Sequence, residues 1–323
     1  MPKPSSRPIA WRLLDGAEAV ARRLWPRPLR GQTGYLLLTP AVLLVGLLVI
    51  GLGYMADYSL RELDLSTYRL VDEYSLTNYQ ILWDRPVFTR VFLRTLLAAV
   101  LVTVFSLLLA FPYAYVMVRT GSSRLRKLLL IALFLPFFIG QVVRAYGWLI
   151  ILGSEGLLNS ALGAIGLGPF DLLYNYPSVI FGLIQYMLPF AVLMLVPAVA
   201  AIGQDVELAS EGLGANWMQT LWFVVLPMAK PGFIGAGLVV FTLTLTDFAM
   251  PEILGGGTSD FIASSIYDAF FQLSNFGLGA AIALVLVVIG SVLAVGILAL
   301  VGTGTLGMTN PSSRAQARRR GRS

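Results

Sequence analysis

Two residue types are missing from this chain: it has no cysteine and no histidine. Without cysteine there are no disulfides and no thiol nucleophile, and without either type the usual zinc ligands are gone. The lack of histidine also removes the side chain that exchanges a proton most readily near neutral pH. Charge is scarce too. Only 12% of residues are charged, against about 25% in a water-soluble domain. Lysine occurs three times, as Lys3, Lys127 and Lys230, and none follows a glycine. A Walker A loop needs Gly-Lys-Ser/Thr to hold phosphates. The chain therefore offers no ATPase site of its own, no metal site and no catalytic cluster, and it does not read as an enzyme.

What it has instead is apolar length. Hydrophobic residues make up 57% of the 323, gathered in long runs rather than alternating patterns, as in an integral membrane protein. Six spans are expected, at roughly 35–56, 95–118, 128–152, 178–200, 231–251 and 278–301. Each has about the 20 residues that a helix needs to cross the hydrocarbon core. Helices are the default, because lipid offers unpaired backbone groups no partner. The expected fold is an all-α polytopic membrane protein.

The charges that remain are sorted by side. Of the 23 cations, seven lie in the first 33 residues and five after residue 310. The loop between spans two and three carries Arg119, Arg124, Arg126 and Lys127. Acids outnumber bases in 57–90, and loops 153–177 and 252–277 hold acids and no base. Both termini are therefore expected in the cytoplasm, and by parity the loop at 201–230 as well. The net charge of +6 fits orientation and contact with anionic lipid headgroups, not nucleic acid. Residues 1–34 read as a cytoplasmic segment whose stretch at 11–25 is amphipathic, like a helix lying in the membrane interface; a loosely ordered tail fits as well. The string GTGTLG at 302–307 fits a dinucleotide pattern, but it lacks the strand before it and the helix after it. It reads as the exit from span six into a basic tail, 302–323.

The loop at 201–230 is unusual for the cytoplasmic side. It brings Asp205, Glu207 and Glu211, with Lys230 the nearby cation. Asp205 is expected to cap a short helix through 205–212, with Glu207 in its first turn. Gly212 and Gly214 permit a positive-φ turn after it. Asn216 can start a second short helix that places Trp217, Leu221 and Val224 on one side. Pro227 and Pro231 break the chain before span five. The product is a helix–turn–helix with an apolar side for the membrane domain and an acidic end for something else.

The string ELASEGLGANWMQTLWFVVLPMAKPG, beginning at Glu207, resembles the cytoplasmic signature of permease subunits of ABC-type importers. Gly214 occupies the family glycine, Val224 the isoleucine place, and Leu226-Pro227 match outright. Ala209 matches the first alanine, and Ser210 replaces the second. The family's leading glutamate falls on Leu208, with Glu207 one place earlier and Glu211 three later. Further segments resemble the polyamine (spermidine/putrescine) subgroup: RTLLAAVLV at 94–102, FPYAYVMVRT at 111–120, LPFFIGQVVRAYGWLIILGSEGLLN at 135–159 and TDFAMPEILGGG at 246–257.

The resemblance runs from about 91 to 301 and implies the type-1 transmembrane domain of an ABC importer in a bacterial inner membrane. It implies a cytoplasmic ATPase dimer that binds the ATP and grips a coupling loop containing Asp205, Glu207, Ala209, Ser210, Glu211, Gly214, Ala215, Leu226 and Pro227. It also implies a second permease subunit and a periplasmic solute-binding protein. The cargo would be a small cationic or zwitterionic solute, putrescine or spermidine being the best single choice.

Candidates for the path come from polar residues inside spans, which are costly there and usually face a cavity or a partner. Arg144 in span three and Asp247 in span five each lie about 16 residues from the cytoplasmic start of their span, which at about 1.5 Å per residue is roughly 24 Å. Equal height leaves two readings open: they pair, directly or in one network, or they face the translocation cavity. Thr242, Thr244 and Thr246 add hydroxyls near Asp247. Gln185 and Tyr186 in span four, and Tyr146 and Trp148 in span three, are further candidates, although aromatics near span ends are often interface anchors. Glycines in KPGFIGAG, 230–237, are expected to let span five pack closely. Two rival classes are a secondary transporter or channel working alone, and a membrane-embedded enzyme. The first often shows internal repeats or broken helices, and the second needs clustered titratable groups.

Overall fold

The computed structural model describes residues 33–301 except 65 and 68. The predicted interfacial stretch at 11–25, the GTGTLG exit and the basic tail lie outside the described residues. The chain divides into two units, 1–57 and 58–323. In the first, helix α1 (Thr33–Ser59) is apolar all round, as a helix meant for lipid should be. It agrees with the predicted first span and runs on into the second unit.

The loop at 57–90 is not plain coil. Strands β1 (Arg61–Asp64) and β2 (Arg69–Tyr74) pair antiparallel, and helix α2 (Thr77–Asp84) follows. Glu62 accepts from the hydroxyls of Ser75 and Thr77, which hold its carboxyl below the usual glutamate range. Asn78 donates to the carbonyls of Ser59 and Arg61, at 3.0 and 2.9 Å. The all-α expectation thus acquires one small hairpin, whose ladder supplies partners for backbone groups that water would otherwise take.

Helix α3 (Pro86–Arg119) opens with proline in its first turn and runs for 34 residues. At about 1.5 Å per residue it rises about 50 Å, well beyond the roughly 30 Å hydrocarbon core. Span two was expected at 95–118, but the helix starts nine residues sooner, so that Arg90 and Arg94 belong to it rather than to a loop.

The third span is broken. Helix α4 (Ser123–Phe134) is capped by Ser122 and passes into a 3-10 turn at Leu135–Phe138. Helix α5 (Gln141–Leu152) then starts after Gly140, and helix α6 (Leu157–Ala164) follows it. The two arms of this segment meet at 100°. A straight 128–152 helix is therefore corrected: Pro136 and Gly140 stop it at its midpoint.

Helix α7 (Tyr176–Ala200), capped by Asn175, is the fourth span. Below it lie α8 (Gln204–Gly212), α9 (Trp217–Thr220), a π-helical turn at Leu221–Val225 and α10 (Leu226–Met228). The chain bends by 69° at Ala229, between Pro227 and Pro231, into α11 (Lys230–Leu245). Span five was expected to continue to 251, but it stops at Leu245. Residues 246–248 form a break before α12 (Ala249–Gly255). Helix α13 (Ile262–Tyr267), a π-helical turn at Asp268–Gln272 and α14 (Phe276–Val301) complete the fold.

The core lies among α3, α7, α11 and α12. Small residues of α3 (Ala98, Ala110, Ala114) meet Val179, Leu183, Met187 and Leu195 of α7, Ala236 and Val240 of α11 and Leu254 of α12. A second cluster joins Val91 and Ala99 to Phe241 and Leu245, and to Leu278, Ala281 and Ile282 of α14. In lipid such contacts come from close packing rather than exclusion of water. Glycine makes two of them possible. A Cβ on Gly232 would stand 2.2 Å from that of Ala198, and one on Gly182 would stand 2.5 Å from Leu254 Cδ1.

Candidate functional site

Two sites take shape, one at the paired helices after α7 and one at the breaks in the third and fifth spans. The first is the helix–turn–helix formed by α8 and α9. Gly203, not Asp205, takes the N-cap position of α8, with no side-chain cap, and Asp205 sits in the first turn. Its charge still favours the positive end of the helix. Gly214 carries the turn at φ +90°, while Gly212 is the last helical residue. Asn216 accepts from Gln219 N–H and Gln219 reaches back to Asn216 N–H, both at 2.8 Å. This capping box fixes the start of α9. The Ser210 and Thr220 hydroxyls lie 3.1 Å apart and staple the two helices together.

The π-helical turn changes which residue reaches the core. One extra residue per turn rotates the register. Val225, rather than Val224 alone, is therefore buried against Ile202 and Ala229, with Phe111, Tyr115, Leu221 and Phe233 packed around them. Trp217 shares the membrane-facing side: its ring meets Tyr115 edge-on at 6.3 Å.

The acids part company. Asp205, Ala209, Glu211 and Gly214 are exposed, as are Leu208 and Leu213; Ala215 and Leu226 are half-buried, and Pro227 is exposed. Glu207 is buried. It faces α3, accepting from Tyr115 Oη at 2.8 Å and from Arg119 Nε at 2.8 Å, in an ion pair with the Arg119 guanidinium. Arg119 donates as well to Ile202 O at 2.8 Å, at the C-terminal end of α7. Tyr115 escaped the sequence reading, and Arg119 entered it only as an orientation charge. Their signal was available: a tyrosine four residues before an arginine puts both on one face at the end of span two.

The second site surrounds the two breaks. Asp247 lies in the gap between α11 and α12, mostly buried. Its Oδ1 accepts from Met250 N–H at 3.1 Å, a cap-like bond to the first turn of α12, whose N-cap position is Phe248. Its Oδ2 accepts from Gln141 Nε2. Arg144 stands one turn after Gln141 on α5. It donates to Pro136 O and Ile139 O where span three breaks, the second at 3.0 Å; Pro136 O accepts from Ile139 N–H as well. Its guanidinium carbon lies 5.4 Å from the centre of the Tyr186 ring. Among the described residues Arg144 and Asp247 form no direct ion pair; Gln141, which holds Asp247, lies on the same helix as Arg144. Gln141 was missed in the sequence, where a single amide inside an apolar run carries little weight.

The equal-height estimate assumed straight spans and does not survive the break in span three. Thr244 and Thr246 turn their hydroxyls back onto Val240 O and Thr242 O, at 2.8 and 3.3 Å. They are spent on their own helix. Gln185 lies 3.4 Å from Trp148 Nε1, which donates to it, and Trp148 meets Phe181 edge-on at 4.7 Å. Tyr146 is exposed and joins neither cluster. A cavity of about 110 Å³ opens between Phe137, Gln141, Arg144, Tyr186 and Phe190.

A bundle of apolar helices, two of the spans broken and paired amphipathic helices seated beneath, defines a polytopic membrane transport component. Residues 35–302 match the family described as "binding-protein-dependent transport system inner membrane component", and the chain belongs to that family. It is 30% identical over 291 residues to the inner membrane ABC transporter permease protein YdcU of Escherichia coli K12, covering 85% of this chain and 91% of that one. It is 29% identical over 250 residues to the spermidine/putrescine transport system permease protein PotB of the same organism, covering 77% and 88%. A crystal structure of a bacterial alginate ABC transporter with its pentasaccharide-bound periplasmic protein shares the fold, with a TM-score of 0.70 and 21% identity over 85% of this chain and 96% of that one. This chain is thus a permease subunit of an ABC importer, a multi-pass membrane protein and not an enzyme. Both rival classes give way to that membership.

Proposed function

We propose that this permease moves a small cationic or zwitterionic solute, putrescine or spermidine first among them, inward across the inner membrane of a bacterium. A periplasmic binding protein delivers the solute. A second permease completes the membrane channel. A cytoplasmic ATPase dimer, docked on the exposed side of α8 and the turn at Gly214, supplies the work by hydrolysing ATP. The termini and the loop at 201–230 lie on the ATPase side.

One observation carries the substrate class: a carboxylate, Asp247, buried in a helix break and bonded to Gln141, which lines a cavity with aromatic walls. A carboxylate and ring faces together suit an amine. The relatives named for spermidine and putrescine support the same reading. Arg144 on the cavity wall favours a second form of it, a zwitterion whose carboxylate meets the guanidinium.

The test is uptake of radiolabelled putrescine and spermidine by cells with and without the chain, and with the ATPase inactivated. Uptake should depend on both proteins, and unlabelled polyamine should compete better than a betaine or an amino acid. Polyamine uptake untouched by loss of the chain would end the proposed substrate. Competition by zwitterions alone would favour the second form. Uptake that continued without the ATPase would remove the proposed coupling.

A further inference from the structure

The Glu207–Arg119 contact joins elements far apart in sequence, 88 residues from one partner to the other. One guanidinium serves three of them. It belongs to the last turn of α3, it holds the Glu207 carboxylate on α8, and it takes Ile202 O at the end of α7. Tyr115, one turn earlier on α3, binds the other Glu207 oxygen and packs on Trp217 of α9. Arg119 and Glu207 are both largely removed from solvent, with 14% and 12% of their side chains exposed. A surface pair would be screened and mobile; a largely buried one whose guanidinium also holds a backbone carbonyl is kept in a single geometry.

We propose that Glu207 and Arg119 form a latch that makes the paired coupling helices and the cytoplasmic end of α3 one rigid lever. Glu207 is then a positioning residue rather than a docking residue. Motion imposed on the exposed face of α8 passes through the latch into span two and the end of span four, as well as along the chain into span five. The placement of the acids fits this division. Leu208, at the position of the family's glutamate, is exposed where a partner would meet it, while Glu207, one residue and about 100° around the helix, points inward. The latch rests on the proposed docking of an ATPase for its purpose, though not for its geometry.

The test uses the whole transporter, purified from native membranes through a tag on this chain. The chain has no cysteine of its own, so within it spin labels go only where cysteines are introduced, at Leu213 on the coupling turn and Val116 near the end of α3, both exposed; the unsubstituted complex, labelled in parallel, gives the background from the partner subunits. Pulsed electron spin resonance then reads the distance between them, without nucleotide and after trapping with ATP and vanadate. In the unaltered chain one narrow distance should persist in both states. In Glu207→Gln and Arg119→Gln, which remove the charge but keep an amide, the distance should broaden and shift on trapping, with the ATPase still co-purifying.

A distance that already changes in the unaltered chain, or one that stays narrow in Glu207→Gln, overturns the latch. Loss of the ATPase from Glu207→Gln would make Glu207 a docking residue and overturns it equally. If the unaltered chain brings down no ATPase, the docking reading fails, and the resting distance in Glu207→Gln still decides the latch. Should both glutamine variants fail to accumulate, Arg119→Lys decides it. A lysine brings one nitrogen on a flexible stem where arginine holds Glu207 and Ile202 O from separate nitrogens of a rigid plane, so the distance should be intermediate in width, and a distribution as narrow as the unaltered chain's would refute the latch.

Discussion

Asp247 has two duties that substitution can separate. Its Oδ1 makes a cap-like bond to Met250 N–H of α12, and its charge faces Gln141. Asparagine caps a helix about as well as aspartate, while alanine costs about 1 kcal/mol there. Asp247→Asn should therefore leave the melting temperature of the solubilised chain unchanged while slowing uptake of a cationic substrate. Asp247→Ala should lower both. Unaltered uptake in Asp247→Asn would reduce Asp247 to a cap. Arg144 differs in kind. Of the two carbonyls it holds, Ile139 O is left bare by the break and is worth about 1–3 kcal/mol if unpaired, while Pro136 O also accepts from Ile139 N–H at 3.2 Å. Its position was legible from cost alone, because a charge inside a span needs a reason. Its partners were not: Ile139 O is bare only because the helix breaks, and Tyr186 arrives from α7.

At the scale of elements, what could be read was what repeats locally. Apolar length located the spans, and Asn216 announced α9. The breaks stayed hidden because LPFFIG is as apolar as the residues around it, so the run of hydropathy passed straight through Pro136 and Gly140. Motif spacing marked α8 as a candidate coupling helix, whereas the inward turn of Glu207 depended on Arg119, which sequence assigns only to orientation. The glycines of span five show the same limit. The run KPGFIGAG promised close packing as a whole, yet only Gly232 meets a neighbour closely: a Cβ there would be 2.2 Å from Ala198 Cβ, and one at Gly235 would find nothing within 4 Å. Gly232→Ala should push α11 off α7 at a cost of about 1–3 kcal/mol, seen as a lower melting temperature. Gly235→Ala should be neutral or stabilising by up to about 1 kcal/mol, since alanine is the better helix former. Equal effects at both positions would mean that α11 does not pack on α7 through this face.

For the whole molecule the broken third span is decisive, because parity depends on it. If the segment at 123–164 crosses the membrane despite its 100° bend, loop 153–177 is periplasmic and the coupling helices are cytoplasmic. If it turns back instead, every later loop changes side, and α8 would face away from any ATPase. Charge argues for the crossing. Residues 119–127 carry four cations, while 153–177 carry Glu155 and Asp171 and no base, an asymmetry that a re-entrant segment would place on one side. Cysteine is absent from the chain, so single cysteines can decide the matter in intact cells. Ser154→Cys and Leu213→Cys both present exposed side chains. A membrane-impermeant maleimide added outside, after the outer membrane is opened, should label Ser154→Cys at once and Leu213→Cys only after the inner membrane is breached. The reverse pattern would establish a re-entrant third span. It would turn the paired helices outward and take the coupling role away from α8, and with it the purpose, though not the geometry, of the Glu207–Arg119 pair.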